Sequence, residues 1–216
     1  MKQPFCYPQD RGRRAQLITC KKGSDLSNSA LADYLETLSE NLERLRLDGS
    51  SAQPFDQAVV DSVDAFLPYR DQFIHVMNVL ARHNPKPQHI ATVKRFFERV
   101  LVYCFPLPTM HSYQSEWFDN YKFIVDELFL YTVAMLIKHQ CFSSVDELVR
   151  GGFYVGTLNQ FSHEPMQGLS IINQHMQSLE VRKQRLSLNR ISLRADMLNG
   201  RSKCLSEEFL NHMNHL

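Results

Sequence analysis

The chain has 216 residues, 44% of them hydrophobic and 14 of them Phe, with a formal net charge of +1. That is enough apolar material for one sizeable core, so one domain, or one domain with an appendage, is expected. Met1 to Lys22 carries basic residues but no continuous apolar stretch of the signal-peptide kind, and no run elsewhere is long enough to cross a bilayer. These features predict a soluble cytoplasmic protein.

The five cysteines, Cys6, Cys20, Cys104, Cys141 and Cys204, are odd in number, scattered and never spaced C-x-x-C. That pattern fits reduced thiols better than a disulfide framework or a zinc site. The near-zero net charge conceals two basic ends. Met1 to Ser24 sets six basic residues against Asp10, and Glu180 to Lys203 sets seven against Glu180 and Asp196, a net +5 in each.

Residues 1–24 contain Pro4, Pro8, Gly12 and Gly23 and show no helical period, so they read as an irregular, mobile arm. A helical domain is expected over residues 25–199. Its first helix starts at Ser27 or Asn28, both suitable N-caps, and carries Leu31, Leu35, Leu38, Leu42 and Leu45 before Gly49. With so few heptads, this stripe predicts packing inside the chain rather than a dimeric coiled coil.

Asp56 is expected to cap the next segment, with Val59, Val60, Val63, Phe66 and Leu67 on its apolar face. Pro68 either kinks it or begins a new helix bearing Phe73, Ile74, Met77 and Leu80. A further helix is expected to open at Asn84, with Pro85 as its first helical residue, to carry Ile90, Val93, Phe96, Phe97, Val100 and Leu101, and to end by Pro106.

Trp117 to Ile137 is the central element. Its first half gathers Asp119, Lys122 and Asp126 on one narrow edge, and Leu128 to Ile137 is apolar except for Thr132. A helix apolar on nearly every side is buried by its neighbours, so Leu128, Phe129, Val133, Leu136 and Ile137 are expected inside. The fold class is therefore all-α, an irregular multi-helix bundle around one central buried helix.

Ser144 to Glu147 has the form of a capping box for a short helix stopped by Gly151 and Gly152. Phe153 to Phe161 reads as an aromatic loop, extended in part. A last long helix is expected from Gly168 toward Asn199, and Gly200 separates it from a short amphipathic tail, residues 200–216, bearing Leu205, Phe209, Leu210, Met213 and Leu216.

Few residue patterns carry chemistry. Arg70-Asp71-Gln72-Phe73-Ile74-His75 is similar to the signature of HEPN ribonucleases, an all-helical family. The resemblance covers six residues. It implies that Arg70 stabilises phosphate charge and that His75 transfers a proton to or from the reacting oxygens of RNA. The bland alternative is a solvated Arg70 and a surface His75 beside core Phe73 and Ile74. Lys183, Arg190 and Arg194 fall at i, i+7 and i+11 of the expected last helix, a stripe that would track a phosphate backbone without sequence choice. The plainer reading is a solvated flank or a contact with the acidic first helix.

Asp126 and Glu127, adjacent in sequence, point about 100° apart on a helix and are unsuited to sharing a site. His212-x-x-His215 and His139-x-Cys141 are the closest metal-like pairs, and neither extends to a fuller constellation; no metal and no cofactor are expected. The leading expectation is a helical interaction or regulatory module with a protein partner. A ribonuclease of the HEPN kind and sequence-tolerant nucleic-acid binding through the basic ends are the alternatives, and no membrane association is expected.

Overall fold

The computed structural model describes residues 27–47, 53–161 and 164–202. The basic arm, His212, His215 and the apolar positions from Leu205 onward lie outside the described residues. Helix α1 (Asn28–Glu43) is followed by α2 (Phe55–Ala65), α3 (Leu67–Arg82), α4 (Pro87–Leu101), α5 (Asp119–Lys138) and α6 (Phe142–Arg150). Two short strands, β1 (Phe153–Tyr154) and β2 (Met166–Gln167), precede α7 (Gln177–Arg185). A final helix, α8, occupies residues 193–202, up to the edge of what is described. The architecture is an all-α bundle with one two-residue antiparallel ribbon, Phe153 opposite Gln167 and Tyr154 opposite Met166.

The leucine stripe of α1 is buried, as its spacing predicts. Ser27 caps the helix by accepting a hydrogen bond from the Ala30 amide, and Leu31, Leu35, Leu38 and Leu42 pack against α4 within the chain. Pro68 begins a new helix rather than kinking an old one. The chain turns at Phe66, and the proline occupies the first turn of α3, where its missing N–H has no intrahelical acceptor to lose.

Helix α5 lies at the centre, packed by α2, α3, α4 and α6. An aromatic series runs from Phe73 through Phe96, Phe97 and Phe129 to Phe153, with successive ring centroids 5.7, 5.4, 5.3 and 6.0 Å apart. Polar ties complete the packing at its start. Asn120 Nδ2 donates to the Leu45 carbonyl and the Ser62 hydroxyl at 2.9 Å each, and the Tyr121 hydroxyl donates to the Leu42 carbonyl at 3.1 Å, joining α1 and α2 to α5.

Several local expectations are corrected. Helix α4 starts at Pro87 with Lys86 as N-cap, because Asn84 takes a left-handed conformation (φ 51°) that ends α3 instead. Asp56 lies inside the first turn of α2 behind Pro54 and is buried, rather than capping from outside. Helix α6 starts two residues before Ser144, which is buried, so the expected capping box does not form. Its end is as expected: Gly151 is the C-cap and Gly152 adopts φ +60°, with an added Cβ falling 3.2 Å from the Gln167 carbonyl oxygen. No helix runs from Gly168 to Asn199. Helix α7 stops at Arg185, Ser187 takes φ 51°, and α8 begins at 193 and passes through Gly200 without a break.

The largest departure concerns α5 itself. Asp119, Lys122, Asp126 and Glu127 are all buried, whereas Leu130 and Ile137 in the apolar half are each 49% exposed and Val133 is only half-buried. Leu128, Phe129 and Leu136 are in the core as expected. The charged half is the more enclosed of the two because charges supplied from far along the chain close over it.

Candidate functional site

Burying a carboxylate is costly unless it is paired and hydrogen-bonded. In this fold the four buried carboxylates of α2 and α5 meet that condition through the segment from α7 to α8. Glu127, at 0% exposure, is held by two arginines. Arg201 donates from Nε and Nη2 to its two oxygens at 2.7 and 2.9 Å, and Arg70 donates from Nη1 at 3.3 Å. Arg201 also reaches Asp64 at 2.8 Å, and its carbonyl accepts from Arg70. Asp126, on the next position around the helix, is held separately by Arg194, which extends to Asn173. The roughly 100° between neighbouring residues thus gives each carboxylate its own arginine. Asp119 pairs with Lys122 at 2.6 Å and accepts the Ser178 amide at 2.8 Å.

On α2, Asp56 accepts from Arg185 at 2.7 and 3.0 Å and from Arg182 at 3.4 Å. Burial by itself would raise the Asp56 carboxyl, but Arg185 and Arg182 outweigh it and hold the group below its ordinary value. At Asp126 the balance is reversed, and burial lifts the carboxyl despite Arg194. Arg70 follows the first pattern: burial opposes its charge, and Asp71 and Glu127 outweigh that opposition and strengthen its hold on the proton.

Arg70 and His75 do not come together. Five residues on one helix lie about 140° apart around its axis. Arg70 is buried against Asp71, Glu127 and the Tyr131 ring, while His75 is on the exposed side of α3. The solvated Arg70 of the bland reading is therefore corrected to a buried, ion-paired one. An RNA phosphate would have to displace two carboxylates to reach it.

Lys183, Arg190 and Arg194 do not share a helix face, because the helix that would align them is interrupted at 186–192. Lys183 sits on α7 near Glu180, Arg190 is 64% exposed in the connection beside Asp196, and Arg194 is turned inward to Asp126. Arg182 and Arg185 reach Asp56 on α2, Arg194 reaches Asp126 on α5 and Arg201 reaches both helices, while Arg190 pairs with Asp196 on α8.

Between α2, α7 and α8 lies an open cleft of about 340 Å³, lined mainly by Val60, Leu186, Leu188, Leu193 and Met197, with Arg182 at one side and the Asp64–Arg201 pair at another. The connection supplying Leu186 and Leu188 also carries Ile191, which is 99% exposed.

Cys141 donates to the Ala81 carbonyl, His139 is hydrogen-bonded to Asn78 at 2.9 Å, and burial pushes the Cys104 thiol up to about 12. Among the described residues, no three His, Cys, Asp or Glu side chains gather where they could hold a metal ion, and no helix is long and apolar enough to cross a membrane.

Sequence reasoning read Asp56 as a cap and Glu127 as one of two separate carboxylates, and did not pair them with Arg182, Arg185 and Arg201. The available signal was an acidic pair inside an otherwise apolar helix, which implies buried charge and hence basic partners elsewhere in the chain. No protein-family model, curated protein sequence or solved structure matches this chain.

Proposed function

We propose that this chain is a helical interaction module whose cleft between α2, α7 and α8 receives a short amphipathic segment of a partner protein, with acidic residues beside its apolar ones. The observation that carries the reading is Ile191, held 99% in solvent on the connection that lines the cleft. Leu186 and Val181, nearby in sequence, are each about two-fifths exposed. Apolar side chains collected beside an apolar cleft gain free energy when a partner covers them, at roughly 25 cal/mol per Å² removed from water.

The acidic character of the partner follows from the surrounding charge. Arg182 and Arg201 line the cleft, and Arg190 is carried on the connection beside it. Among the described residues Arg190 is held by an exposed pair with Asp196 at 3.7 Å, a contact weak enough to exchange for a partner's carboxylate.

A displayed library of random linear peptides, screened against the whole chain, tests the reading. Enrichment of sequences combining Leu, Ile or Phe with Asp or Glu, lost in Ile191→Asp and weakened by salt, supports it. Enrichment indifferent to Ile191→Asp removes the cleft as the binding surface. RNA binding that depends on Arg190 without any peptide enrichment returns the connection to the nucleic-acid reading.

A further inference from the structure

The arginines at the cleft differ in how many of their donors the fold already uses. Arg201 donates from all three nitrogens: Nε and Nη2 to Glu127 at 2.7 and 2.9 Å, Nη2 also to the Val63 carbonyl, and Nη1 to Asp64 at 2.8 Å. Arg185 grips Asp56, with Nε 3.0 and 3.2 Å from its two oxygens and Nη2 2.7 Å from one of them. Arg182 is different. It donates from Nη1, to Gln57 at 2.8 Å and to Asp56 at 3.4 Å. Among the described residues nothing accepts from its Nε or Nη2, although the side chain is only 18% exposed and lines the cleft.

The local charge carries the same imbalance. Asp56 is matched by the closer Arg185, so two arginines meet one buried carboxylate and a single positive charge is left over at Arg182. Nε and Nη2 lie along one edge of the planar guanidinium and present two parallel N–H groups, the arrangement that the two oxygens of a carboxylate accept together. A donor largely withdrawn from water and lacking an acceptor gains more from such a partner than an exposed one does. The surplus of one charge suits a carboxylate. A phosphate monoester, at about −1.5 to −2 near pH 7, would exceed it in the company of Asp56 and Asp64.

We propose that the Nε–Nη2 edge of Arg182 is the carboxylate-binding site of the cleft, taking an Asp or Glu side chain of the partner side-on while the partner's adjoining apolar residue packs against Val60, Leu186 and Leu188. This rests on the cleft being the peptide-binding surface, and it makes Arg182, rather than Arg190 or Arg201, the residue that sets the acidic preference.

An array of synthetic amphipathic peptides tests it, each printed with Asp or Glu, with Asn or Gln, or with phosphoserine at the same position, and incubated with the whole chain. The wild type is expected to hold the carboxylate forms about tenfold more strongly than the amide forms, with binding lost in Ile191→Asp. Arg182→Lys, which keeps the charge and lacks the fork, should lose most of that preference, and Arg182→Gln all of it. Because either change also removes a bond to Asp56, phenylglyoxal labelling of the wild-type chain supplies a measurement that needs no variant. A carboxylate peptide should protect Arg182, and its amide counterpart should not. A carboxylate preference that keeps its full size in Arg182→Gln overturns the proposal. So does Arg182 labelled equally with and without the carboxylate peptide, or a phosphoserine form held more strongly than the carboxylate one. If Ile191-dependent binding accompanies any of these results, the peptide-binding reading survives them. Binding by no form, or binding indifferent to Ile191→Asp, removes that reading and this proposal with it.

Discussion

The two halves of α5 invert the usual relation between polarity and burial. Its N-terminal half holds Asp119, Lys122, Asp126 and Glu127 and is enclosed, while its C-terminal half is apolar and, among the described residues, leaves Leu130 and Ile137 half in water. The difference lies in what covers each half. Three residues distant in sequence, Ser178, Arg194 and Arg201, bring a hydrogen bond or a countercharge to the first; among the described residues no hydrogen bond or ion pair of that kind reaches Leu130 or Ile137 in the second. Burial here is decided by complementary partners rather than by residue type.

The sharpest way to break this comparison is at Glu127. Replacing it by Ala leaves Arg70 and Arg201 buried without their shared carboxylate, and a loss of about 3–5 kcal/mol is expected in urea unfolding. If the network acts as a unit, joint replacement of Arg70, Glu127 and Arg201 by Met, Leu and Met recovers most of that loss. A triple variant as unstable as the single one would show that something other than unpaired charge is responsible.

The apolar side of the comparison is tested by Leu128→Ala and Leu136→Ala, each expected to cost roughly 2–5 kcal/mol, because both side chains are in the core. A cost at Leu136 far below that at Leu128 would mean that the open half of α5 is also loosely packed on its inner face.

The pH dependence separates two of the arginine-held carboxylates. Asp56 ionises more readily in the folded chain than at its ordinary value of 3.8, so its contribution is fully present above that value and is lost as pH falls through the depressed one. Asp126 is shifted upward from 3.8, so the folded chain binds its proton more tightly and the associated stability is lost as pH rises through the raised value. Following the urea midpoint against pH, Asp56→Asn should flatten the acid loss and Asp126→Asn should remove the opposing slope. Changes of the same sign in both variants would contradict the two balances of burial against arginine.

The smallest effects are expected at the exposed bases. Lys183→Gln and Arg190→Gln should each alter stability by no more than about 0.5 kcal/mol. In the same preparations mixed RNA should remain intact, and His75→Ala should leave that result unchanged. Cleavage by the wild type that vanishes in both His75→Ala and Arg70→Ala would show that Arg70 leaves its carboxylates to act on phosphate.

How much of this was legible depended on distance along the chain. The stripe of α1, the split at Pro68 and the apolar faces of α3 and α4 were readable because i, i+3 and i+4 spacing and proline's backbone limits are local properties. The start of α4 was misplaced by the left-handed turn at Asn84, a conformation that asparagine tolerates without announcing it. The break between α7 and α8 was illegible because residues 186–192 contain no Gly or Pro, and the turn rests on Ser187 at φ 51°. The arginine network was hidden for a different reason. Glu127 reads as buried only once Arg201, 74 positions away, is known to reach it.

That separation has a consequence for the order of events during synthesis. Beside the nearer Lys122 and Arg70, the partners Ser178 of Asp119, Arg194 of Asp126 and Arg201 of Glu127 lie 59, 68 and 74 residues downstream, and Arg185 lies 129 residues beyond Asp56. Helices α1 to α6 can gather through nearer contacts while the ribosome is still making the rest, but the carboxylates on α2 and α5 must then stay hydrated. Consolidation of the interior therefore waits for the arrival of Arg201. A nascent chain arrested before α8 should remain open to proteases along α5, and release of a few more residues should close it.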